Sequence, residues 1–168
     1  MTQVLKTDRL NLKVLGPRYA GLSCEYFIRN RQFLKSWEPE RANSFYTVKG
    51  QKRFLMKDYE DMISGRMIKV WLFEKDEKPG KIVGSITLDN IIRGYFLSCL
   101  LSYRLDKHKV NKGYMTEALV PMIDFAFNDL GLHRIEANIM PHNIPSLKVV
   151  KKLGFKPEGL AQKYLKIN

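Results

Sequence analysis

The chain has 168 residues, 45% of them hydrophobic, which suffices for one domain spanning 1–168 with its own core and excludes a disordered protein. No apolar run approaches the ~20 residues that cross a bilayer, and the start, Met1-Thr2-Gln3-Val4-Leu5-Lys6-Thr7-Asp8-Arg9, lacks the apolar stretch of a secretory signal. A net charge of +12 points to polyanions, whether a phosphate-rich cofactor, an acidic peptide or nucleic acid, although the lysines and arginines are spread as on an ordinary solvated surface.

Arg9 to Leu15 alternates apolar and polar residues and predicts a half-buried strand, stopped by Gly16-Pro17. Pro17 suits the first turn of a helix running to about Arg29, and a second short helical piece runs from Arg31 to Trp37 and ends at Glu38-Pro39. Phe54, Leu55, Tyr59 and Met62 stand at helical spacing in a segment from Val48 to Ser64, closed by Gly65. Two strands follow, Met67 to Glu74 and Lys81 to Ile91, joined by a polar hairpin loop from Lys75 to Gly80. Ser98 to Asp106 reads as a strand facing core on both sides through Cys99, Leu100, Leu101, Tyr103 and Leu105. Cys24 and Cys99 have no metal-ligand spacing and read as buried small residues in a reducing cytoplasm, so no metal is expected.

Lys109-Val110-Asn111-Lys112-Gly113-Tyr114-Met115-Thr116-Glu117-Ala118-Leu119 is the organising stretch. A strand leads into it, and out of it runs an amphipathic helix to Leu130 with Met115, Ala118, Leu119, Met122, Ile123 and Ala126 on its apolar face. Such a basic turn leaves backbone N–H groups unpaired at the positive end of a helix dipole, where a phosphate binds. No P-loop motif occurs, and a single glycine is too few for a dinucleotide fingerprint. Pro121 removes one hydrogen bond inside the helix and predicts a bend, and Gly131 can cap its end. Arg134 to Met140 alternates as a strand. Asn143 then caps a helix with Pro145 in its first turn, ended by Leu153-Gly154-Phe155, and Gly159 to Ile167 is a candidate for one more strand.

Taken together, Lys112 to Leu119, Leu132-His133-Arg134-Ile135-Glu136-Ala137, Asn143 to Phe155 and Gly84 to Ile91 resemble the GNAT N-acetyltransferase superfamily. They are most similar to its RimJ/RimL branch, which acetylates N-termini of ribosomal proteins. The resemblance covers nearly the whole chain. It implies an α/β (α+β) fold, a twisted, mixed and mostly antiparallel sheet of six to seven strands with helices on both faces. It also implies acetyl-CoA as co-substrate. The branch continues past Tyr164-Leu165-Lys166-Ile167-Asn168 into a last strand that this sequence lacks, and an open edge of that kind invites pairing.

Residue by residue, the family's phosphate turn maps onto Val110, Asn111, Lys112, Gly113, Tyr114 and Met115, followed by Thr116, with Val110 and Met115 departing from its pattern. The strand carrying Tyr103 and Leu105 is the one that splays from its neighbour and pairs with the pantetheine arm. Asn143 matches the amide that holds that arm, besides capping a helix. Ser146 matches the position proposed to donate to the thiolate, and equally suits a first-turn serine bonded to backbone. Lys148, Lys151 and Lys152 can meet the 3′-phosphate or form a solvated face. The carboxylate that some relatives place on the central strand is absent, since Ser98, Cys99 and Ser102 stand there. The candidates for base are therefore Glu38, within a Trp37-Glu38-Pro39 motif at the acceptor mouth, Asp89, and a water relay.

Amide formation asks little of a base, because an α-amine titrates near ~8 and an appreciable fraction is neutral at pH 7. Positioning and N–H stabilisation of the thioester oxygen supply much of the rate. The expected activity is acetyl transfer to a primary amine, foremost the N-terminal α-amine of a ribosomal protein. A small amine such as an antibiotic or polyamine is the second reading, and a basic ribosome- or RNA-binding module without turnover the third. No membrane partner is expected, and monomer and homodimer both stay open.

Overall fold

The computed structural model describes residues 5–76 and 80–165. Period-2 apolar patterning builds five consecutive antiparallel strands: β1 (Leu5–Lys6), β2 (Leu10–Lys13), β3 (Ile68–Glu74), β4 (Ile82–Ile92) and β5 (Ser98–Leu105). A sixth, β6 (Arg134–Glu136), joins parallel to β5, so the six-stranded sheet runs in sequence order, mixed and mostly antiparallel.

Because side chains alternate along each strand, the sheet has two different faces. On one, Leu12, Leu72, Val70 and Ile86 pack against Met115, Ala118, Leu119 and Met122 of α3 (Tyr114–Asp124), with α4 (Ile144–Lys152) alongside. On the other, Trp71 and Phe73 pack against Tyr26 and Phe27 of α1 (Ala20–Leu34) and Leu55 of α2 (Val48–Ile63). Helices therefore cover both faces, as the GNAT resemblance implies. Each large apolar side chain buried this way contributes about 1.5–3 kcal/mol. Both cysteines are buried and unpaired.

Helix ends follow local chemistry. Thr47 starts α2 by accepting the Gly50 N–H at 3.0 Å, and Asn143 starts α4 by accepting the Ser146 N–H at 3.3 Å. At the other end of α4, Gly154 and Phe155 donate to Lys151 and Val150, a Schellman closure with Gly154 at φ 85°.

Five expectations are corrected. The two helical pieces before Trp37 are one helix, α1, entered through a 3-10 turn at Pro17–Tyr19, because nothing between Arg29 and Arg31 breaks the backbone: Asn30 turns its amide onto the Tyr26 carbonyl at 3.0 Å. The helix after the turn runs through Pro121 and ends at Asp124, widening into a π turn over Phe125–Asp129 in which the Leu130 N–H reaches the Phe125 carbonyl at 3.0 Å. Only Arg134–Glu136 of the expected strand pairs, because β5 then diverges. β5 itself does not face core on both sides: Cys99 and Leu101 are buried, whereas Leu100 is half-buried and Ser102 exposed. The last expected strand is irregular over 159–165, its remainder lying outside the described residues, as do 77–79 of the β3–β4 loop. Among the described residues, no helix is long and apolar enough to cross a membrane.

Candidate functional site

The parallel ladder between β5 and β6 has three rungs, Ser98–Arg134, Cys99–Ile135 and Leu100–Glu136. Beyond Leu100 the strands part. β5 continues to Leu105, still paired with β4 on its other side, while Ala137 to Met140 run without strand pairing. The result is a cleft through the sheet with an unpaired strand edge along one wall, a template for an extended ligand. Tyr103 stands on the α3/α4 face of that edge and donates its hydroxyl to the Ser146 carbonyl at 3.0 Å, tying the cleft wall to α4. Burial pushes its phenol up, only partly offset by that bond, so it remains a neutral donor. The Ser146 hydroxyl bonds nothing among the described residues and stays available.

Immediately after β5 the chain makes the turn singled out by the sequence. Asp106, 3% exposed, anchors it by accepting from the His108 N–H (2.9 Å), the Asn30 amide (3.1 Å) and Arg29 Nε (2.8 Å). Desolvation pushes its pKa up, but these three donors outweigh it and hold the carboxyl below the usual range. Further on, Asn111 at φ 60° and Gly113 at φ 78° wind the backbone through left-handed conformations into α3. Among the described residues, no side chain caps the backbone N–H groups of 114–116 at the start of α3, and the Glu117 N–H is bonded to the Gly113 carbonyl at 3.0 Å. With no side-chain cap on α3, these donors form an anion cradle.

The cradle is braced from outside. Glu117 accepts from the Thr7 hydroxyl, the Arg9 N–H (2.9 Å) and Arg9 Nε (2.6 Å), while Arg9 Nη1 donates to the Lys112 carbonyl at 3.0 Å and its guanidinium lies 4.3 Å from the Tyr114 ring centroid. Tyr114 and Lys109 both bond Glu74 on β3. Met115, which departs from the family pattern, is buried in the core beneath α3, so its side chain does not fill the cradle. Val110 and Leu105 are half-buried beside the turn, Thr116 lies in the first turn of α3, and Lys148, Lys151 and Lys152 are exposed along α4.

On the α1/α2 face the floor is polar. Cross-strand rows of Trp71, Ser85 and Arg104, and of Lys69, Thr87 and Ser102, lie side by side. Glu38 reaches this floor and bonds Arg104 Nε, with Arg41 Nη2 3.9 Å from its carboxylate. Next to it, Trp37 lies 5.6 Å, centroid to centroid, from the His142 ring at the entry to α4, so this loop borders the cleft. Asp89 sits elsewhere: it pairs with Leu100 at the β4 bulge and accepts the Asn90 N–H at 2.8 Å, capping its own bend. Beside it is a cavity of about 360 Å³ lined by Arg66, Asn90, Ile91, Ser98, Leu100 and Glu136, at the last rung of the ladder. A second, of about 400 Å³, opens by Glu38, Arg31, Lys35, Arg41 and Tyr46.

The turn residues, Tyr103, Asn143 and Ser146 thus border one cleft, with Glu38 on its opposite side and Asp89 apart. Sequence reasoning missed Arg104, Asp106 as the anchor, and the Arg9–Glu117 brace. A charged residue at position 104, within an otherwise uncharged strand, was the available signal for the first.

Residues 9–156 match the family model of the acetyltransferase (GNAT) domain. The chain is 38% identical over 164 residues to the [ribosomal protein uS5]-alanine N-acetyltransferase of Escherichia coli, covering 98% of this chain and 84% of that protein. It superimposes on the ribosomal-protein-S5-alanine acetyltransferase of Vibrio fischeri with a TM-score of 0.93 at 34% identity, covering 99% of this chain and 90% of that one. For the RimJ protein of Mycobacterium smegmatis, solved in complex with CoA-disulfide, the TM-score is 0.88 at 26% identity, with 99% and 80% covered.

Proposed function

This chain belongs to the GNAT acetyltransferase family and is an N-acetyltransferase, and from that premise we propose that it transfers acetyl from acetyl-CoA to the N-terminal α-amine of a protein, a ribosomal protein foremost. The observation that carries the reading is the parting of β5 from β6 beside the N–H cradle at the start of α3. Support for the acceptor comes from the similarity to the uS5-alanine enzyme of Escherichia coli.

Acetyl-CoA supplies an activated thioester when bound. The cradle residues Val110, Asn111, Lys112, Gly113, Tyr114, Met115 and Thr116 would take its pyrophosphate through backbone N–H groups. The free edge of β5 at Tyr103 and Leu105, with Asn143 facing it, would hold the pantetheine arm as an added strand is held, and Lys152 would meet the 3′-phosphate. Ser146, whose hydroxyl is available, would give a hydrogen bond to the departing thiolate, which takes its proton from solvent. Glu38 approaches from the opposite face and receives the acceptor's ammonium and then its proton. Asp89, already bonded to its own backbone neighbour, ranks behind Glu38. Two reagents arriving from the two faces of one sheet meet only where the strands part, so positioning supplies much of the rate.

Calorimetry with acetyl-CoA tests the cofactor half. Micromolar binding that is abolished by Gly113→Trp is expected, with desulfo-CoA binding similarly because the cradle reads phosphates. Absence of binding by the intact chain, alongside salt-sensitive RNA binding, would replace the enzyme reading with that of a binding module.

A further inference from the structure

Beneath Glu38 lies a set of buried polar atoms that the reaction outlined above leaves unused. Tyr26 Oη, Ser85 Oγ and Arg41 Nε are all buried and have no hydrogen-bond partner among the described residues. Tyr26 and Ser85 are both 0% exposed. A buried hydroxyl without a partner costs about 1–3 kcal/mol, and native proteins rarely tolerate two in one place.

All three surround the same ion pair. Ser85 is the direct cross-strand neighbour of Arg104, a geometry that brings side chains within about 5 Å at Cβ. Tyr26 packs edge-on against Trp71, at 6.1 Å between ring centroids, and Trp71 flanks Ser85 on its other side. Burial pushes the Tyr26 phenol up strongly, and Arg104 and Glu38 are the strongest charges acting on it. It is therefore a neutral hydroxyl with lone pairs to offer, next to a guanidinium. Arg41 stands on the other side of the Glu38 carboxylate.

A guanidinium carries five N–H donors, and a hydroxyl oxygen accepts them. We propose that Tyr26 and Ser85 are positioning residues that receive Arg104 when an incoming ammonium takes its place on Glu38. In the resting protein Arg104 neutralises Glu38. With the acceptor seated, the ammonium pairs with Glu38, and the Arg104 N–H groups turn to Tyr26 Oη and Ser85 Oγ. The Arg104 N–H groups then keep acceptors, and the hydroxyls, unpartnered at rest, make their bonds in the acceptor-bound state. The exchange rests on the acetyl-transfer reading, in which Glu38 meets the acceptor amine. It moves no covalent bond.

Kinetics of Tyr26→Phe, Ser85→Ala and the double variant test it, with an alanine-initiated peptide and acetyl-CoA as substrates, the unaltered enzyme in parallel, and melting temperature as a second readout. The exchange predicts that KM for the peptide rises about tenfold in each single variant, while KM for acetyl-CoA stays unchanged and the melting temperature holds or rises. Unchanged peptide KM with a raised melting temperature would overturn it, since the hydroxyls would then be mere unsatisfied groups. A parallel rise in both KM values would overturn it equally, as a general loosening of the fold. Should Tyr26→Phe fail to fold, Ser85→Ala carries the same test. If the unaltered enzyme acetylates no peptide, the acetyl-transfer reading falls and takes the exchange with it. Peptide turnover with insensitive variants removes the exchange alone.

Discussion

At the scale of single residues, Gly113 sets the cradle. Its φ of 78° disfavours a side chain, and a Cβ there would come within 3.4 Å of Arg9 Nη2, the guanidinium that braces the turn. Gly113→Ala is expected to destabilise the fold by about 1 kcal/mol and to weaken acetyl-CoA at least ~10-fold by calorimetry, since the N–H groups lose their common focus. Glu38 and Asp89 make a sharper pair. Glu38→Gln should lower kcat on a peptide by about 10²-fold, the range of a lost proton acceptor. Asp89→Asn should change it less than about twofold, because its amide oxygen still accepts the Asn90 N–H. Steady-state rates of the two variants, measured side by side, decide which carboxylate serves the reaction. The turn and the Asn143 cap were legible in the sequence because each is local: glycine, amide and helix start lie within a few residues. Arg104 on Glu38 and Arg9 on Glu117 join residues far apart in the chain, which no spacing rule reports.

Among elements, the joint between α1 and the end of β5 matters most, because it aims the cradle. Asp106 holds it through Arg29 and Asn30, and its carboxyl sits below the ordinary range once its three donors have offset desolvation. A carboxylate with a depressed folded value contributes stability that is complete above its unfolded value of about 4 and is lost as pH falls through the folded one. Stability from this joint should thus be flat from neutral pH down to about 5 and decline below about 4. Asp106→Asn should remove about 3 kcal/mol at pH 7 and flatten that acid limb, as urea unfolding at stepped pH would record. The joint was hidden in the sequence, since Asp106 reads there only as a strand end. Strand and helix identities were legible from periodicity, and where they failed the neighbours decided. The alternation of Arg134 to Met140 is that of a strand, yet pairing stops at Glu136 because β5 turns away. The span from Arg31 to Trp37 reads as a separate helix, yet Asn30 keeps α1 continuous by bonding backward.

For the molecule as a whole, the two faces of the sheet divide the labour. Each face carries an apolar cluster; the α3/α4 face also holds the anion cradle, and the α1/α2 face also carries Lys69, Ser85, Ser102 and Arg104 as a polar strip. The net charge of +12 adds a general attraction for a polyphosphate. KM for acetyl-CoA should therefore rise several-fold as salt increases from about 0.05 to 0.5 M, over which the screening length shrinks by about a factor of three. The most direct test of acetyl transfer to a protein N-terminus is mass spectrometry of an alanine-initiated, lysine-containing peptide from a ribosomal protein, incubated with acetyl-CoA and compared with the same peptide carrying a blocked N-terminus. One acetyl group on the free α-amine, and none on the blocked peptide, is the predicted result. Acetylation of the lysine side chain in both peptides, or of neither peptide while a small amine is modified, would contradict it.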